Sequence, residues 1–381
     1  MKKKKWLGLL LNLLIPGLGN VYSRNIQKGV LTYILFFIVV FSLRFIAYNF
    51  ILFILSLTLI IGYYLYLIIS GYRDVQRDKL YKAVSFDKWF VYVLILVLHW
   101  FLMGSIKGQI LDRLTPINFA SIPTPAMDPT LQVGDVLAFK KTKSIERNDI
   151  TIFWFPDDLK TMYIKRCVGL PGDSLQIKNS TVLINGVQLA DLILKFKYLV
   201  ITDGSEINAR ILEQNQIGDT DYYKLSSDTY HLFLTEKQAQ KFRRLPFLKK
   251  VELSLATEGE PETMIYPKSE IFNWNTDFYG PIYIPKKGDK IQLTDKIIDL
   301  YLKCIEFENE KVERNDSVLT INGQIASTYQ FKDNYFFMMG DNRHNSLDSR
   351  YWGLLPQDLV LGKAIYIYWG KTSERIGKKI I

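Results

Sequence analysis

A lysine inside an apolar run is the first residue in this chain that asks for a chemical explanation. Lys165 sits in MYIKRCVGL, residues 162–170. Burial would disfavour its charged form and lower its pKa by up to ~3–5 units. Such an amine can act as a general base near neutrality. The plainer alternative is an edge-strand lysine that snorkels to water. Two other stretches carry unusual residues. IPTPAMDPTLQVGD, 122–135, holds Pro123, Pro125 and Pro129, which exclude a helix and leave a stiff, extended segment. MGDNRHNSLDSRYWG, 339–353, is a dense polar run entered from the apolar YFFMM. Its plainer reading is a turn at Gly340-Asp341-Asn342 and a structural ion pair between Asp348 and Arg350.

These stretches need a framework, and the surrounding pattern is β. From Gly134 onward short alternating runs recur, among them VLAFK, ITIFWF, SLQIK, KIQLT and KAIYIYW. Asn185-Gly186 and Asn322-Gly323 are two-residue hairpin turns. Asp228 to Arg244 reads as a short amphipathic helix. Asn179-Ser180-Thr181 matches a glycosylation acceptor but reads better as a polar turn. The expected fold is a mainly β domain, a partly open barrel or packed sheets, with a mixed α/β insertion over about 190–275.

The first 107 residues differ. They are rich in Leu, Ile, Phe, Tyr and Val, and predict membrane spans over about 30–45, 50–69 and 89–106. A span needs ~20 apolar residues, so the first is marginal. The opening run is broken at Pro16-Gly17 and predicts a re-entrant or interfacial hairpin, with a fourth span as the alternative. Basic residues Arg73, Arg77, Lys79, Lys82 and Lys88 place their loop in the cytoplasm, as do Lys2 to Lys5. Residues 108–381 would then be extracytoplasmic.

The net charge of +10 fits attraction to anionic lipid head groups. No basic tract is interleaved with exposed aromatics, which argues against nucleic acid. Two cysteines, Cys167 and Cys304, leave a disulfide open, and neither they nor the three histidines have metal-ligand spacing.

The order AMDPTL, VGDVLAFK with RNDITIFWFP, YIKRCVGLPGD and GDNRHNSLDSRYWG, behind outward-facing spans, resembles type I signal peptidase. The resemblance covers about 115–200 and 275–370, and YGPIYIPKKGDKIQLT is similar to the long-insertion branch of that family. It implies a membrane-bound serine endopeptidase of the bacterial inner membrane, with a Ser-Lys dyad and no cofactor or metal. Its partners would be signal peptides of exported preproteins, the bilayer and the secretion machinery. Lys165 would be the general base, and Ser346 would hydrogen-bond and orient its amine. Asp348 and Arg350 would hold the loop, and Gly340 and Asn342 would shape it. Thr124 and the backbone N–H of Ala126 would stabilise the oxyanion, and Met127 would follow the nucleophile.

The departure is at the nucleophile, where the family's serine is replaced by Ala126. A methyl group cannot attack a carbonyl. The readings left open are a natural inactive relative that binds signal peptides or regulates an active paralogue, an introduced Ser→Ala change, an error at this position, and a displaced nucleophile at Thr124 or Ser121.

Overall fold

The computed structural model describes residues 4–47, 49–77, 88–108, 115–189, 192–315 and 318–380. The chain divides into two compact units, Met1–Phe119 and Ala120–Ile381.

The first unit is helical. It contains α1 (Lys5–Leu14), α2 (Leu18–Tyr22), α3 (Ile26–Ile46), α4 (Phe50–Arg77) and α5 (Trp89–Gly108). Pro16 cannot continue α1, and Gly17 turns the chain with a left-handed φ of 92°. The bend therefore falls where Pro16-Gly17 predicts it. Close contact follows from Gly19, where an added Cβ would lie 2.0 Å from the Gly8 carbonyl oxygen. Several polar groups inside this unit are paired. Asn12 donates to the Leu67 carbonyl (2.6 Å) and accepts from the Gly19 N–H (2.6 Å), and Lys28 pairs with Asp74 at 2.7 Å. Unpaired, such groups would be costly among apolar helices.

Helix α3 begins at Ile26 rather than near Val30, because the Asn25 side chain caps it by accepting the Lys28 N–H. The segment expected to be marginal is thus 21 residues long. Ile26–Leu43 and Phe50–Val75 are long and apolar enough to cross a membrane, while the apolar helix Trp89–Phe101 is shorter. Lys2, Lys3, Lys79 and Lys82, which enter the orientation argument, lie outside the described residues.

The second unit is mainly β. Its principal sheet contains β1 (Ile117–Ser121, a strand that runs across the division of the chain), β2 (Val136–Lys141), β3 (Ile150–Trp154), β4 (Met162–Gly169), β5 (Tyr335–Met339), β6 (Leu355–Pro356) and β7 (Val360–Trp369). The strand order is β1-β2-β7-β3-β4-β5-β6, so the sheet is open and no barrel closes. Strand β4 is an interior strand, antiparallel to both β3 and β5. A second sheet pairs Leu248–Leu253, Phe196–Thr202, Thr229–Leu234 and Tyr222–Lys224, around its own core of Tyr198, Val200, Leu232 and Phe242.

Several local expectations are met. Asn185-Gly186 and Asn322-Gly323 form hairpin turns with both φ values positive. Asn179 and Ser180 form a left-handed turn, with the Ser180 hydroxyl buried against Asp277. Others change. The helix expected over 228–244 covers only Glu236–Phe242, started by a capping box between Thr235 and Gln238. Residues 229–234 are instead a strand, fixed by pairing with Phe196–Ile201. Asp295–Phe307 is a helix that the alternating pattern did not suggest, burying Ile298, Tyr301, Cys304 and Ile305. Cys167 and Cys304 are both free, buried in different core clusters, so no disulfide joins them.

Candidate active site

Lys165 points from the middle of β4, opposite Thr151 on β3, and is 5 % exposed. A central, buried position removes the snorkelling alternative. Burial lowers its pKa to about 8, opposed by the negative charges of Asp348 and Asp341. The amine donates to the Ile164 carbonyl at 3.1 Å and lies 5.2 Å from the Tyr163 ring centre.

Ala126 occupies a single 3-10 turn, Pro125–Met127, against β4. Proline at its first position pre-sets the turn. Met127 anchors it, buried with Leu131, Leu137 and Ile152. Asn342 clamps it from the other side. Its backbone N–H donates to the Ala126 carbonyl at 3.1 Å, and its side-chain amide donates to the Pro125 carbonyl at 3.3 Å. Thr124 precedes the turn in extended conformation and is exposed.

Gly340 brings the third stretch close. A Cβ there would lie 2.2 Å from Ser346 Oγ and 2.5 Å from the Ala126 carbonyl oxygen, so only glycine fits. The hydroxyl of Ser346 and the turn therefore crowd the same point. Ser346 Oγ is buried without a hydrogen-bond partner, as is Asn342 Oδ1. The hydrogen bond expected from Ser346 to Lys165 is not formed here, because the amine turns to the carbonyl of its own strand neighbour Ile164.

Asp348 and Arg350 pair through two hydrogen bonds, at 2.9 and 2.8 Å, both fully buried. Asp348 also accepts the Gly340 N–H at 3.1 Å, which ties the pair to the glycine. Burial pushes the Asp348 carboxyl up, but Arg350 and the Gly340 N–H hold it below the usual carboxylate range. Arg350 further donates to the Thr276 carbonyl at 3.2 Å.

Sequence reasoning missed two charged clusters. Arg166, on the opposite face of β4 from Lys165, pairs with Asp341 at 2.8 and 2.7 Å, and Asp341 accepts from Thr130 at 2.5 Å. Lys195 joins Asp128 to Asp221. The one sequence signal was a second charge beside Lys165, since adjacent strand residues face opposite sides and both faces here are buried. Among the described residues no group of His, Cys, Asp and Glu could hold a metal.

The chain belongs to the signal peptidase family, peptidase S26, whose model matches residues 88–243 and 284–369. It is similar to signal peptidase I of Buchnera aphidicola subsp. Schizaphis graminum, 28 % identical over 65 % of this chain and 66 % of that relative. It is also similar to signal peptidase I of Aquifex aeolicus, 24 % identical over 67 % of this chain and 77 % of the relative. A crystal structure of signal peptidase I from Enterococcus faecalis covers 58 % of this chain and 96 % of that one, at 16 % identity and a TM-score of 0.23. The chain thus spans about two thirds of the length of the Buchnera relative.

Proposed function

We propose that this is the site of a membrane-bound signal peptidase of the Ser-Lys type, which removes N-terminal signal peptides from exported preproteins, and that with Ala126 this chain binds such peptides without cleaving them. The single observation that carries the reading is Lys165, a buried amine with a pKa of about 8 beside the turn that bears residue 126. A serine there would pass its proton to Lys165 as its oxygen attacks the scissile carbonyl. Lys165 would then protonate the leaving amine, and a water activated by the same amine would release the acyl group. The backbone N–H of Ala126, with Thr124, would stabilise the oxyanion. Asp348, Arg350, Gly340 and Asn342 hold these parts together, and Ser346 would orient the amine once substrate closes the site. No cofactor is called for.

The helices Ile26–Leu43 and Phe50–Val75 support a membrane anchor. In this reading the chain crosses the bacterial inner membrane more than once, and the β unit lies outside the cytoplasm, where signal peptides and the secretion machinery present their substrates. A displaced nucleophile at Thr124 is less well supported. Its side chain is exposed and stands two residues before the position that the 3-10 turn packs against β4, so it fits a supporting role at the oxyanion better than attack.

The test is cleavage of a preprotein with an A-x-A site by the chain reconstituted in lipid, compared with Ala126→Ser, Thr124→Ala and Lys165→Ala. The expected result is signal-peptide binding without cleavage by the parent, and cleavage by Ala126→Ser. Cleavage by the parent that disappears in Thr124→Ala would establish the displaced nucleophile instead.

A further inference from the structure

We infer that Lys195 is a positioning residue that ties the turn bearing residue 126 to the four-stranded sheet of residues 196–253, making that sheet a working part of the site. The inference rests on the function proposed above.

Lys195 stands where the chain enters the strand Phe196–Thr202. Its backbone bridges the polar loop. The Lys195 N–H donates to the Asp341 carbonyl at 3.0 Å, and its carbonyl accepts the Arg343 N–H at 2.8 Å. Between those two residues lies Asn342, which clamps Ala126. The side chain is 2 % exposed and reaches two carboxylates. Its amine donates to Asp128 Oδ2 at 2.5 Å and to Asp221 Oδ1 at 2.8 Å.

Those carboxylates come from different places. Asp128 follows Met127 directly and closes the turn, its N–H donating to the Pro125 carbonyl at 3.0 Å. Asp221 leads into the edge strand Tyr222–Lys224. It is itself fixed, accepting the Gly218 N–H on Oδ2 (3.0 Å) and the Phe233 N–H on its carbonyl (2.7 Å). One buried amine therefore meets the turn, the polar loop and the sheet.

The charge count makes this amine hard to replace. Among the described residues Asp128 has no other side-chain hydrogen bond, and its Oδ1 is buried without a partner. Removing the ammonium would leave two buried carboxylates facing each other. One of them would take up a proton, since burial already pushes the Asp128 carboxyl up, and the turn, no longer held to the sheet by the amine, would move. A turn displaced by about 1 Å loses on the order of 100-fold in rate without losing the binding cleft. The plainer alternative is that Lys195 only stabilises the sheet.

Amide hydrogen exchange in the full reconstituted chain separates the two. Lys195→Met in the native Ala126 background should speed exchange at Asp128 and Asn342 by about 10-fold or more, and change Val200 and Leu232 by less than about 2-fold. In the Ala126→Ser background the same change should lower kcat about 100-fold with KM within about 3-fold, and Lys195→Arg should recover most of the loss. Equal acceleration at Val200 and Leu232 would overturn the inference in favour of a purely structural lysine. So would unchanged exchange at Asp128 and Asn342. If Ala126→Ser itself does not cleave, the proposed function fails on its own, and the exchange measurement in the native chain still decides the role of Lys195.

Discussion

Restoring a hydroxyl at position 126 makes the buried lysine measurable. In Ala126→Ser the base must be neutral to accept the serine proton, so activity should follow the deprotonated fraction of Lys165. With a pKa of about 8, roughly one-tenth of the amine is neutral at pH 7. An ordinary lysine at 10.5 would be neutral in about three molecules per ten thousand. The net shift, driven by burial against the opposing charges of Asp348 and Asp341, therefore supplies a factor of about 300 in usable base. The assay is kcat/KM for an A-x-A preprotein in lipid, between pH 5.5 and 9.5. The rate should climb about tenfold per pH unit up to about 8 and then level. Lys165→Met in the same background should be lower by about 10²–10⁴-fold and show no such limb. A flat profile, or a limb still climbing about tenfold per unit between about pH 8.5 and 9.5, would refute the assignment of Lys165 as a desolvated base.

Three further outcomes follow from the same geometry. In the native chain Lys165→Met should stabilise the β unit, because the folded pKa of about 8 lies below the unfolded value of 10.5 and the unfolded chain binds more protons between them. The gain should be about 3 kcal/mol below pH 8 and fade towards pH 10.5, and denaturant unfolding at pH 6 with no gain would contradict it. Asp348→Asn leaves Arg350 buried without its carboxylate and should cost about 3–5 kcal/mol in the same unfolding measurement, where a loss below about 1 kcal/mol would show the pair to be dispensable. Gly340→Ala places a methyl 2.2 Å from Ser346 Oγ and 2.5 Å from the Ala126 carbonyl, so it should abolish signal-peptide binding, read by photocrosslinking, with the circular dichroism spectrum unchanged.

Lys165 was legible because charge in an apolar run is visible locally, and Asp348 with Arg350 because they lie two positions apart. Arg166 with Asp341, and Lys195 with Asp128, were not, since these partners lie 175 and 67 positions apart and no spacing links them. The boundary at Thr235 was misread for a related reason. TYHLFL becomes a strand by pairing with Phe196–Ile201, a contact absent from its own composition. Burial and orphaned polar atoms are likewise invisible in a sequence, and they bear most directly on residue 126. The site holds a lysine in the centre of a sheet, and a serine oxygen and an asparagine oxygen that are buried without partners. Each of these costs stability in a scaffold that has only to stay folded. A chain freed from handling substrate could replace Lys165 by methionine and gain from it. That the costs remain together around the turn of Ala126 favours a site still used to hold a peptide over one kept only as framework.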